Sequence, residues 1–272
     1  MACKGLWLGL AVSCAATAAP LPPVSDAGQN DYREYLEAPD HRAFAVAPGG
    51  AWGWRGGMPS ASTAEAEALA ACKAQARARC QLYAADGKVV FDAAAWAMAW
   101  RPYATAKDAA ASVGRAPGQR LPNVAFTDGT GKRLNVAAFR GKVLVLHFWG
   151  TWCPPCRREM PELQRLQAAM ADRRDVAFVL LQVREPYAVA RRWAQAQGLQ
   201  LPLFDSGSAG EDDAFLRLAG GGKLADREIA RSFPTTYVID KRGLVIFSQV
   251  GPLAAWPAYE GLLRDAADRS GR

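Results

Sequence analysis

The chain has 272 residues, half of them hydrophobic and 22% charged, which fits one or two folded domains and excludes wholesale disorder. The formal net charge is +7, but the basic residues are scattered, and doublets such as Arg157-Arg158, Arg173-Arg174 and Arg191-Arg192 are interleaved with helical or acidic sequence. With no aromatic-interleaved basic stripe and no zinc-finger spacing, this is a solvated surface rather than a nucleic-acid interface.

Residues 1–18 read as an export signal. Lys4 is a minimal positive start, residues 5–12 form an apolar run too short to span a bilayer, and Ala16-Thr17-Ala18 fits a small-x-small cleavage site. The mature chain then begins at Ala19 and is periplasmic or otherwise extracytoplasmic. A second reading stays open: Cys14 follows Ala11-Val12-Ser13, a poor lipobox, and a membrane tether is expected only if Cys14 is lipidated. No later stretch reaches the length of a membrane helix. Beyond the signal the cysteines are Cys72, Cys80, Cys153 and Cys156. In an exported chain such a set permits disulfides, and proximity favours two local pairs.

Residues 19–40 carry Pro20, Pro22, Pro23 and Pro39 among polar residues and read as a linker. Residues 41–103 read as a small α+β domain. Strands are expected at 43–47 and 51–55 around Pro48-Gly49-Gly50. Ser62 with Glu65 resembles a capping box opening an Ala-rich helix to about residue 77. Segments 80–84 and 88–91 flank Asp86-Gly87, a hairpin signal. An unbroken helix would separate Cys72 from Cys80 by about 12 Å, too far for a disulfide, which needs Cα atoms about 4.4–6.8 Å apart. The pair closes only if the helix ends first and the chain turns back. A structural Cys72–Cys80 disulfide is the favoured reading, beside two buried free thiols or a second redox centre.

Residues 104–118 read as an interdomain linker, and the pattern changes at about 119. Segments 123–127 and 132–136 flank Asp128-Gly129-Thr130-Gly131 as a hairpin. Residues 143–149 are a continuous apolar run, a buried strand. A helix follows over 154–171, with Met160, Leu163, Leu166 and Met170 on one side, and then a second buried strand over 176–183. This is a strand–helix–strand crossover with parallel strands. A helix over 187–197 is stopped by Gly198, a hairpin runs through 236–240 and 244–250, and a helix closes the chain over 254–268. With an insertion between 205 and 231, the order predicts an α/β fold in residues 119–272, a mixed sheet flanked by helices, behind the small α+β domain.

Trp152-Cys153-Pro154-Pro155-Cys156 is the strongest chemical signal. It joins the end of a buried strand to the start of a helix, where unsatisfied N–H groups and the helix dipole stabilise a thiolate. Pro154 and Pro155 are tolerated in the first turn and stiffen it. Geometry makes Cys153 the exposed attacking thiol and Cys156, one helical turn in, the buried resolving thiol of dithiol–disulfide exchange. Half of a zinc site is the bland alternative, but the only histidines are His41 and His147, so no metal site is expected. A merely structural disulfide is the other.

The stretch from Phe148 to Pro161, with Trp149-Gly150-Thr151-Trp152 leading into the Cys-x-x-Cys, resembles the active-site segment of the TlpA/ResA-like branch of the thioredoxin superfamily. Phe233-Pro234-Thr235-Thr236-Tyr237-Val238-Ile239-Asp240, followed by Gly243, resembles that branch's cis-proline strand. The resemblance spans about residues 119–270 and implies a thioredoxin-like fold and extracytoplasmic thiol–disulfide exchange, often as a reductase. It implies protein thiols or disulfides as substrate, a membrane electron donor, and no cofactor beyond the redox-active disulfide. It places Pro234 beside the dithiol behind a cis bond, with Trp152, Pro154, Pro155 and Phe233 on the substrate-binding surface. It also puts a glutamate at the position of Glu159, which shares a helical face with Cys156 and could exchange its proton, against the alternative of a surface glutamate. His147 stands where thioredoxin has a buried aspartate, either as a proton relay or as a hydrogen-bonded core histidine. A peroxiredoxin is disfavoured because Cys153 lacks the Pro-x-x-x-Thr-x-x-Cys context. A thiol oxidase, a cytochrome c maturation thioredoxin and a binding protein with an auxiliary thioredoxin fold remain as alternatives.

Overall fold

The computed structural model describes residues 21, 22, 24, 26–48, 50–76, 79–92, 112–253 and 256–269. The expected export signal with Cys14, and the segment 93–111, lie outside the described residues.

The first unit is an antiparallel sheet between two helices. Its strands are β1 (Ala43–Val46), β2 (Trp52–Arg55), β3 (Gln81–Ala85) and β4 (Lys88–Val89), in the order β2-β1-β3-β4. All of β1 is buried, and its alternation divides two layers. Ala43, Ala45 and Ala47 face the helix α2 (Ala61–Gln75), against Ala64, Ala68 and Cys72. Phe44 and Val46 face an aromatic layer containing Tyr35 and Tyr83. The small residues let α2 lie almost on the strands. At Gly53 a Cβ would fall 2.3 Å from Cys72 N and 2.6 Å from Ala68 O, so only glycine fits between Trp52 and Trp54. Asp86 and Gly87 both have positive φ, as a two-residue hairpin turn of this hand requires.

Two expectations change here. Residues 26–37, read as linker, form helix α1 (Asp26–Glu37). Its buried residues are Gly28, against Trp52 and Val24, and Tyr35, with Tyr32 packed beside it, and the Tyr35 hydroxyl accepts from Gly87 N at 3.1 Å. The cap of α2 is Ser60, whose side chain accepts from Thr63 N at 3.2 Å, two residues before the Ser62 capping box expected. The helix stops at Gln75, and the chain turns back into β3. Cys72 and Cys80 are thereby joined as a disulfide with Cα atoms 6.2 Å apart.

The second unit holds a seven-stranded sheet in the order β13-β12-β7-β8-β9-β5-β6. Its edge hairpin is β5 (Ala125–Thr127) with β6 (Arg133–Asn135). The centre is β7 (Val143–Trp149), parallel to β8 (Val176–Gln182), which is parallel to β9 (Leu203–Asp205). The far side is β12 (Thr235–Ile239), antiparallel to both β7 and β13 (Val245–Val250). Every residue of β7 is buried, the mark of a strand covered on both faces. Helix α3 (Pro154–Ala169) links β7 to β8 and buries Met160, Leu163 and Leu166; α4 (Tyr187–Ala196) links β8 to β9. The insertion after β9 folds into a hairpin, β10 (Phe215–Arg217) with β11 (Lys223–Ala225), and a short helix α5 (Asp226–Ile229). The closing helix is split, with a 3-10 turn at Trp256–Tyr259 before α6 (Glu260–Arg269).

The boundary at 119 also moves. Gly118 N donates to Val245 O at 2.8 Å and Gly114 N to Arg120 O at 2.8 Å, so residues 112–118, expected as linker, belong to the second unit. The Tyr259 hydroxyl donates to Val24 O at 3.0 Å, tying the start of the first unit to the end of the second.

Candidate active site

β7 delivers the chain to the end of the sheet, where Cys153 N donates to Gly150 O at 3.1 Å and closes a turn. Trp152 folds back over this turn. A Cβ on Gly150 would meet its Nε1 at 2.2 Å, so glycine makes room for the indole, whose N–H donates to Val183 O at 3.0 Å. Thr151 is clamped at N, 2.8 Å from Glu185 Oε1, and through its hydroxyl to the second carboxylate oxygen.

Cys153 is the N-cap of α3, and its Sγ accepts from Cys156 N at 3.3 Å. Pro154 and Pro155 fill the first helical positions, where a missing N–H removes no intrahelical bond. Cys153 and Cys156 form a disulfide with Cα atoms 5.3 Å apart. Cys156 is fully buried, as expected, but Cys153, expected to be exposed, is only 3% exposed in its disulfide with Cys156, and the exposed neighbour is Trp152 at 42%.

Beneath the disulfide lies a buried polar chain. Glu159 Oε2 accepts from Leu253 N at 2.9 Å and from Trp256 Nε1 at 3.1 Å. Glu159 Oε1 lies 3.4 Å from His147 Nε2, and His147 Nδ1 is 3.0 Å from Thr236 Oγ1 on β12. Burial pushes the imidazole down to about 3, so His147 is neutral near pH 7. Glu159 is therefore no surface residue, and Cys156 and Glu159 are both buried three positions apart on α3.

The third part comes from the start of β12. The Phe233–Pro234 peptide bond is cis. Thr235 stands opposite Phe148, so this bond sits at the end of the sheet where Cys153 begins its helix. The Phe233 ring meets the Trp152 ring edge-on, with centroids 5.2 Å apart. The guanidinium of Arg184 lies 5.3 Å from the centre of the Phe233 ring and 6.0 Å from that of Trp152. It is held there by a two-pronged ion pair with buried Asp226, at 2.5 and 2.7 Å. Arg227 places a second guanidinium 5.0 Å from the Phe233 ring centre.

The structure thus gathers Cys153, Cys156, Trp152, Pro154, Pro155, Phe233 and Pro234 at one end of the sheet, with Glu159 and His147 below. Sequence reading missed Thr236, Trp256, Arg184, Asp226 and Arg227. Arg184-Glu185 follows directly after a buried parallel strand, at the sheet end where α/β folds bind ligands, and that was a usable signal. Asp226, 42 residues on, gave none.

A parallel strand feeding a Cys-x-x-Cys at a helix N-terminus, with a cis proline at the same end of the sheet, defines a thiol–disulfide oxidoreductase of thioredoxin-like fold. The family profile of Redoxin matches residues 116–263, over half of the chain, and the chain belongs to this family in its TlpA/ResA-like form. It is 30% identical over 142 residues to the thioredoxin-like protein YneN of Bacillus subtilis, covering 52% of this chain and 75% of that one. It is 33% identical over 130 residues to the thiol-disulfide oxidoreductase ResA of Geobacillus thermodenitrificans, covering 48% and 67%. Among solved structures, StoA from Bacillus subtilis aligns at 21% identity and a TM-score of 0.40, over 52% of this chain and 98% of that one. The chain is an oxidoreductase that works by dithiol–disulfide exchange.

Proposed function

We propose that the chain is an extracytoplasmic protein-disulfide reductase in which Cys153 attacks and Cys156 resolves. The reduced enzyme presents a Cys153 thiolate at the N-terminus of α3. It attacks one sulfur of a substrate disulfide, forming a Cys153–substrate bond and expelling the other substrate sulfur as a thiolate, which takes a proton. Cys156 gives its proton to Glu159 and attacks Cys153 Sγ. The Cys153–Cys156 disulfide forms, and the second substrate sulfur leaves as a thiol. Two electrons pass to the substrate, and a membrane electron donor must return two to the enzyme. His147, kept neutral by burial and held by Thr236, positions Glu159 rather than carrying the proton itself. Among the described residues the backbone of Phe233 makes no hydrogen bond, which leaves it open to an extended peptide.

The observation that carries this reading is the Cys153–Cys156 disulfide at the helix N-terminus with the Glu159–His147 pair buried one turn in. Export is supported by the leader-like residues 1–18 and by the Cys72–Cys80 disulfide, which suits an oxidising compartment. The test is a redox titration of the mature protein, read by alkylation and mass spectrometry to separate the two cysteine pairs. A Cys153–Cys156 potential near about −270 mV supports a reductase, and one near about −120 mV reverses the direction to a thiol oxidase.

A further inference from the structure

We infer that the reductase selects disulfides flanked by acidic side chains, and that Arg227 reads them. This rests on the exchange role proposed for Cys153.

Two guanidinium groups lie over the Phe233 ring, and they differ in how their charge is met. Arg184 is neutralised by Asp226. Arg227 is exposed and has no ion-pair partner among the described residues; its Nη1 donates to Arg231 O at 2.7 Å. The neighbouring Glu228 remains charged but makes no ion pair with Arg227; its Oε1 accepts from Ala225 N at 3.1 Å. Arg231 is also exposed without an ion pair among the described residues. The rim beside Phe233 therefore carries, in Arg227, a guanidinium that makes no ion pair among the described residues.

Arg227 is also pre-positioned. The aromatic ring beneath it and the Arg231 carbonyl restrict its guanidinium, leaving outward N–H groups suited to a carboxylate. An extended peptide paired at Phe233 projects alternate side chains to one side, one of them towards this rim. A glutamate or aspartate there gains an ion pair, and a lysine meets like charge.

The test uses three synthetic disulfide peptides of equal length whose cystine is flanked by Glu, Lys or Ser. Full-length wild type, R227E and R227K are compared by kcat/KM. Wild type should favour the Glu over the Lys peptide by about tenfold at low salt, from one gained attraction and one removed repulsion. The preference should shrink in 0.5 M salt, about where screening is nearly complete. R227K should keep most of it, and R227E should invert it. Equal rates with Glu and Lys peptides, or a ratio that R227E leaves unchanged, would overturn the inference while turnover of the Ser peptide leaves the exchange reading standing. Failure of wild type to reduce all three peptides would overturn both.

Discussion

His147 is a buried base kept neutral by its surroundings, and that has a measurable effect on stability. An unfolded histidine titrates near about 6.5, whereas burial holds the folded one at about 3. The unfolded chain therefore binds the extra proton between these values. The contribution is fully present above about pH 6.5 and falls as the pH drops towards 3, by roughly 1.4 kcal/mol per unit. Urea melts of the oxidised protein at pH 7, 5.5 and 4.5 should show this loss, and H147Q should flatten it. An equally steep acid loss in H147Q would assign the effect to other groups. Glu159 tests the proton step. E159Q keeps an oxygen for Leu253 N and Trp256 Nε1 but removes the base, so resolution of a Cys153 mixed disulfide should slow about 100-fold. Single-turnover quenching with an alkylating agent measures it, and unchanged resolution would remove Glu159 from the mechanism. The residues named from sequence reach the site because all but His147 belong to a short contiguous motif, and His147 stands one residue before one. Thr236 was inside such a motif, yet its bond to His147 across two strands is a matter of register, which the motif does not encode.

At the scale of elements, legibility followed hydrophobic content. The seven-residue strand β7 matches its apolar run end to end, and α3 shows its buried face as Met160, Leu163 and Leu166. Helix α1 was missed for the converse reason. Its buried contacts come from tyrosines and a glycine rather than aliphatic residues, and the prolines flanking it mimic a linker. The short strands β9, β10 and β11, of three residues each, carry too little pattern to register. Packing of α2 on β2 rests on a missing side chain, and G53A tests it directly. The added methyl would strike helix backbone rather than a movable side chain, so the first unit should lose about 1–3 kcal/mol. Thermal melting with limited proteolysis would detect this, and wild-type behaviour would mean that α2 can shift outward at little cost.

For the whole molecule, which part holds the redox motif was legible in the sequence, but its start was not, because Gly118 pairs across to Val245 while Ser112 and Gly114 pair with Arg120, without any local pattern. The two disulfides belong to different units and should behave independently. Replacing Cys72 and Cys80 by alanine opens a loop with a sequence separation of 8 and should lower the stability of the first unit by about 2.5 kcal/mol. The Cys153–Cys156 potential should not move. A shifted potential in that double variant would show that the two units communicate.

The hydrogen bond between Tyr259 and the carbonyl of Val24 makes the folded chain a closed circuit, since the partners are 235 residues apart in sequence. Tension applied through residues before Val24, as from a tether near Cys14, would divide between two routes: along the backbone into α1, and across this bond into the segment preceding α6. The two units would then be loaded in parallel rather than in series. While this bond holds, a mechanical anchor at one end of the polypeptide would bear on the redox unit as well as on the domain in between.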